Sequence, residues 1–171
     1  MKAKIRVRLF SAVAAVIMMI TIFCMSAQSG EESSSLSGNI TETVLDRTDP
    51  KFSDLDDGEK VEKVEKVGRF VRKAAHFAEY FVLCGIFAVF ALTFDISRPL
   101  AFGLSFGAGT VYAASDEIHQ LFVPGRSGLF TDVLIDSSGA LAGAIFVFII
   151  YSVYKNRGKR NVERNEKSHN V

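Results

Sequence analysis

The 171-residue chain has no Cys-x-x-Cys pair and no cysteine–histidine cluster. Its two cysteines, Cys24 and Cys84, lie inside apolar runs, where they read as small buried hydrophobes and not as a disulfide framework. An excess of one charge is also missing. Twenty basic residues stand against 19 acidic ones, which removes a strongly basic nucleic-acid binder from the default readings. There is no HExxH, no recognisable phosphatase signature and no evident nucleophile. Internal repeats are absent. No polar path or broken helix interrupts the apolar runs, which argues against a transporter.

What is present is apolar and segregated. Hydrophobic residues make up 49% of the chain, 15 of them Phe, which excludes disorder for most of its length. The charges crowd into a few stretches. Between them lie four runs, at about residues 10–27, 74–94, 99–115 and 132–154. Each approaches the roughly 20 residues that a helix needs to cross the hydrocarbon of a bilayer. The fold expectation is all-α: one domain over 1–171, an integral membrane four-helix bundle. The basic start MKAKIRVR before run one also suits a cleaved signal peptide. A retained first span is preferred, because the residues around Ser26, Ala27 and Gln28 make a poor cleavage site.

Orientation follows from basic residues at the span ends. Lys2, Lys4, Arg6 and Arg8 precede span one; Lys155, Arg157, Lys159, Arg160, Arg164 and Lys167 follow span four. Both termini are therefore expected in the cytoplasm, with residues 28–73 outside. That segment carries a balance of −3, although Arg69, Arg72 and Lys73 form a local exception. Residues 28–58 are rich in Ser, Thr, Asp and Gly and read as loop. Residues 59–71 (EKVEKVEKVGRFV) set Val61, Val64, Val67 and Val71 near one helical face. The pairs Glu59–Lys63, Glu62–Lys66 and Glu65–Arg69 have the order that supports a helix.

This threading gathers polar residues at the outer end. His76 and Glu79 fall in the outer turns of span two, and Asp116, Glu117, His119 and Gln120 just past span three. Asp132 and Asp136 fall in the outer turns of span four, with Arg126 in the loop before it. Arg72, His76 and Glu79 share a helical face, as do Asp132, Asp136, Gly139 and Gly143. The glycines point to close helix contact, and Gly103 and Gly107 offer span three a similar face. Arg126 is a natural partner for Asp116, Glu117 or Asp132, and Arg72 or Lys73 for Glu79. Each group also has a plain structural reading, such as a helix cap at Thr131 and Asp132. Separate structural roles do not explain why all of them share one end.

Several segments resemble the motifs of the VanZ-like membrane proteins. RKAAHFAEY at 72–80 is similar to the family's RKxxHFxEY, DEIHQLFVPGR at 116–126 to its second motif, and 132–139 to its D-x-x-x-N-x-x-G. The stretch SAQSG at 26–30 also fits. Asp136 stands where the family often has Asn, adding an acid to the site. The resemblance implies a small multi-span protein of the cell envelope and a link to resistance against the glycopeptide teicoplanin. It implies no particular reaction.

The expected function is a polar outer-face pocket that binds an anionic envelope component. A lipid-linked cell-wall precursor or an anionic lipid headgroup would be the partner, beside the bilayer itself. The candidate binding residues are Arg72, Lys73, His76, Glu79, Asp116, Glu117, His119, Gln120, Arg126, Asp132 and Asp136. No metal, cofactor or nucleic-acid partner is expected, and no residue is assigned a catalytic role. One alternative is a membrane-embedded hydrolase or transferase acting on a lipid-phosphate, using the same carboxylates and histidines. The other is a structural or partner-binding membrane protein whose polar cluster locks the bundle.

Overall fold

The computed structural model describes residues 2–169, with the side chains of 159 and of 162 onward outside the described set. The expected tail charges Lys159, Arg164 and Lys167 lie among the latter. Five helices and no strand are found among the described residues: α1 (Lys2–Ser26), α2 (Gly30–Thr48), α3 (Asp57–Ala91), α4 (Arg98–Gln120) and α5 (Phe130–His169). The all-α expectation therefore holds. By length and composition, α1, α3 and the Phe130–Gly158 part of α5 are able to cross a membrane.

Helix α3 is the hub, in contact with every other helix. Its closest partner is α5, because Gly139 and Gly143 let the two backbones meet. A side chain at either position would run into the carbonyl of Phe77 or of Phe81. The shared core is thin and made largely of small residues: Cys84, Ala113, Ala140 and Ala144 around Ile22, Tyr80 and Leu83. Gly103 and Gly107 do not serve as a contact face, since nothing lies within 4 Å of either. Gly109 does so instead, against Ala140 and Cys84. Large apolar side chains point outward, as in Phe10 at 78% exposure and Val111 at 70%. Surface of that kind is hard to keep in water and natural in lipid. Cys24 lies on this outward surface and is not buried; Cys84 is.

The loop reading of 28–58 is corrected. Residues 30–48 form α2, which begins at a capping box: Ser29 accepts from the Glu32 N–H, and the Glu32 carboxylate accepts from the Ser29 N–H. That carboxylate is held below its ordinary value, chiefly by the Ser29 N–H. The helix packs a stripe of Ser33, Ser37, Thr41 and Leu45 inward, in contact with α3. Small polar residues at this spacing allow the close approach that their composition hides. The expected amphipathic helix and span two are likewise one continuous 35-residue helix. Lys63 pairs with Asp49 across the α2–α3 turn, not with Glu59. The Glu62–Lys66 and Glu65–Arg69 ion pairs are also not formed among the described residues.

Two ends of the assembly differ. At one, Lys4 reaches Asp95 at 2.8 Å, and Arg8 donates to the Thr93 carbonyl at 2.9 Å while stacking on Phe94. The other end holds the polar residues described next.

Candidate functional site

The site starts from where the helices end. Helix α1 stops at Ser26 and α4 at Gln120, and α5 begins at Phe130. The turn between the last two carries Gly125 at φ +72°, a conformation that glycine adopts without strain. Gly30, at the start of α2, donates its N–H to the Pro124 carbonyl at 3.0 Å. It lies so close to Gly125 that a side chain there would strike the Gly125 carbonyl. The start of α2 and the α4–α5 turn are thus held against each other.

A cavity of about 250 Å³ lies at this junction. Arg69, Arg72, Lys73 and His76 of α3 form one wall, Asp132, Ile135 and Asp136 of α5 another, and Gln120, Gly125, Arg126 and Ser127 line it from the α4–α5 side. A second space of about 140 Å³ shares Arg72, His76 and Arg126 and adds Glu79, Met25 and Ser33. A larger groove of about 470 Å³ runs between α2 and α3 and shares Arg69 and Arg72. The two arginines therefore border every space at this end except the Glu79 one, which Arg72 alone reaches.

Within the cavity the charges are unevenly matched. Lys73 donates to Asp132 at 2.6 Å, tying α3 to α5. Arg72 donates to Ser34 at 2.8 Å and to Ser37 at 3.2 Å, both uncharged. Neither Arg69 nor Arg72 has an ion-pair partner among the described residues, and Glu79 has none either. Arg126 does not pair with Asp116, Glu117 or Asp132. Its Nε donates to the Gln28 carbonyl, its Nη1 to Gln120 Oε1 and its Nη2 to the Met25 carbonyl, each at 3.1 Å. It thus satisfies carbonyls at and beyond the end of α1, where a cation also suits the helix dipole. Burial and the nearby Arg72 draw Arg126 below its ordinary value, with Asp116, Glu117 and Glu79 opposing. An arginine so placed stays charged.

The remaining candidates separate by depth. Asp136 is fully buried, and His76 Nδ1 lies 3.7 Å from its Oδ1. Asp116 is buried close to both and accepts from Ser26 Oγ at 2.7 Å and from Gln120 Nε2 at 3.1 Å. Glu117 accepts from the Leu129 N–H at 2.9 Å, which fastens the loop to α4. His119 lines neither space; its ring stacks on Phe23 of α1 at 4.5 Å. The candidate binding residues read from the sequence leave out Arg69, noted there only as a charge exception, together with Ser34, Ser37 and Gly30. Arg69 is three residues before Arg72, so helical spacing alone would have found it. The other three were lost with α2.

A family model described as VanZ/LLP1 matches residues 11–151. That range includes every residue lining the 250 Å³ cavity. Comparison with curated proteins and with solved structures gives no match.

Proposed function

The chain belongs to the VanZ/LLP1 family, and on that premise we propose a four-span envelope protein whose outer-face cavity binds a lipid-borne phosphate. Family membership and three long apolar helices suit a membrane protein of this type. The proposal adds α4 as the fourth span. Its outward face carries Leu100, Leu104, Val111 and Ile118, an apolar stripe fit for lipid. Both termini are assigned to the cytoplasm. Lys4, Arg8 and Arg98 sit at the end opposite the cavity, as cytoplasmic basic residues should. Arg69, Arg72 and Lys73 go against that rule and are the residues that line the cavity.

The observation that carries this reading is the pair Arg69 and Arg72. Both border a cavity at the membrane end, and neither has an ion-pair partner among the described residues. Guanidinium groups suit phosphate through paired N–H donors. Arg126 uses three N–H groups on its own chain, leaving two of its five for a ligand. The occupant is either a lipid-linked wall precursor or an anionic phospholipid, which share this chemistry. Capture of the first would connect the chain to teicoplanin resistance.

Binding to the protein in nanodiscs tests the reading. A short-chain polyprenyl phosphate is titrated into phosphatidylcholine discs, and retention of phosphatidylglycerol is measured separately. Arg72→Gln should weaken the preferred lipid roughly 10–100-fold, the loss expected for a charged hydrogen bond. Equal binding by Arg72→Gln and by an Arg69→Gln/Arg72→Gln double variant would contradict the proposal.

A further inference from the structure

Three helices each bring one side chain of a metal-ligating type to the same spot: His76 from α3, Asp116 from α4 and Asp136 from α5. A ligand atom of each lies within 4.8 Å of the other two. Asp136 has no exposed surface, and neither of its carboxylate oxygens has a hydrogen-bond partner. His76 Nδ1 is also without one, since 3.7 Å to Asp136 is beyond hydrogen-bond reach. A buried carboxylate is costly to hold unless a positive group stands beside it. Lys73 is engaged with Asp132 and Arg126 with backbone carbonyls, so neither serves Asp136.

Asp116 adds a second acid. Both of its hydrogen bonds, from Ser26 and Gln120, fall on Oδ2. Outer donors of this sort fix the direction of a metal-binding carboxylate and leave its other oxygen for the ion.

We propose that His76, Asp116 and Asp136 bind a divalent transition-metal cation, Zn2+ or Mn2+. Two carboxylates balance the charge of a dication. The imidazole favours a transition metal over Mg2+ or Ca2+, which prefer oxygen alone. Three protein ligands leave further coordination positions open. His76 and Asp136 also line the cavity, so an open position faces the space where the phosphate is placed. Only that last step rests on the anion-binding reading; the three ligands do not depend on it.

The test uses full-length protein in phosphatidylcholine nanodiscs, stripped with a chelator and then given Zn2+ or Mn2+ alone. Bound metal per chain is counted by mass spectrometry, and thermal unfolding is followed with and without the ion. One equivalent of one of these ions should bind and raise the melting temperature. Asp136→Asn and His76→Gln should each weaken the ion by more than the roughly 10–100-fold typical of outer-shell changes. Asp136→Asn should leave the melting temperature of stripped protein unchanged or higher, because it removes a buried charge. Arg72→Gln should keep the metal while losing polyprenyl phosphate. A wild type that binds neither ion, or that binds no more tightly than Asp136→Asn, overturns the metal site. Phosphate binding that survives in stripped protein would leave the anion reading standing on its own.

Discussion

The guanidinium of Arg126 reaches the carbonyl of Met25 across 101 residues of sequence, at 3.1 Å. This bond, with its companions to Gln28 and Gln120, fastens the end of α1 to the α4–α5 loop. Arg126 is therefore first a positioning residue for the cavity.

Replacing it should loosen that corner. Arg126→Ala removes three hydrogen bonds from a half-buried cation and should cost about 1–3 kcal/mol of stability. Arg126→Lys, which cannot reproduce the fork of donors, should recover only part of the loss. Thermal unfolding in detergent checks both; an unchanged melting temperature for Arg126→Ala would show that the corner holds without it.

The glycines of α5 and α4 should respond in opposite directions. Gly139→Ala and Gly143→Ala push a methyl into the α3 backbone and should destabilise by about 1–3 kcal/mol, the usual cost of overpacking. Gly103→Ala and Gly107→Ala meet nothing within 4 Å and should be neutral or stabilising by roughly 0.5–1 kcal/mol. Unfolding of the four variants side by side decides the matter.

These contrasts mark how far the sequence was legible. The apolar runs, the all-helical class and the meeting of residues 72–79, 116–126 and 132–136 follow from run length and threading. Gly139 and Gly143 were readable because they continue the stripe of Asp132 and Asp136. Gly103 and Gly107 misled because spacing names a face without saying what the face meets. Helix α2 was hidden by its serines and glycines, which favour loops when isolated and close packing when a neighbour covers them. The cap pattern Ser29-x-x-Glu32 was its one local signal. The partners of Arg126 are backbone carbonyls, which no side-chain pattern reveals.

Asp132→Asn should separate stability from binding. The Lys73–Asp132 pair is partly exposed, so its loss should cost less than about 1 kcal/mol. It also frees Lys73 and removes a negative charge from the cavity wall. Affinity for polyprenyl phosphate should rise several-fold at low salt, with less gain at high salt. A titration in nanodiscs at two ionic strengths reads the effect, and weaker binding would contradict it.

The start of α2 should depend on pH. Glu32 is held below its ordinary value of 4.5, so its contribution is present above that value and fades as pH falls through the lower folded one. Ser29→Ala should remove the hydroxyl half of the cap at a cost of about 1 kcal/mol and shrink this acid response without removing it, because the main-chain N–H at 29 still faces the Glu32 carboxylate. Proteolysis within residues 28–36, followed from pH 6 to pH 3 with an acid-tolerant protease, should accelerate in the wild type. In the variant it should already be faster at pH 6 and should change less with pH; a wild-type rate that does not change with pH would refute the cap's role.

Impermeant thiol labelling in intact cells bears most directly on the placement of the cavity. Ser127→Cys and Lys155→Cys are each introduced in a Cys24→Ser background, with the buried Cys84 left in place. Position 127 should react from outside while position 155 reacts only after lysis. Labelling of 155 in intact cells, with 127 protected until lysis, would place the cavity in the cytoplasm and contradict its role as an outer-face site.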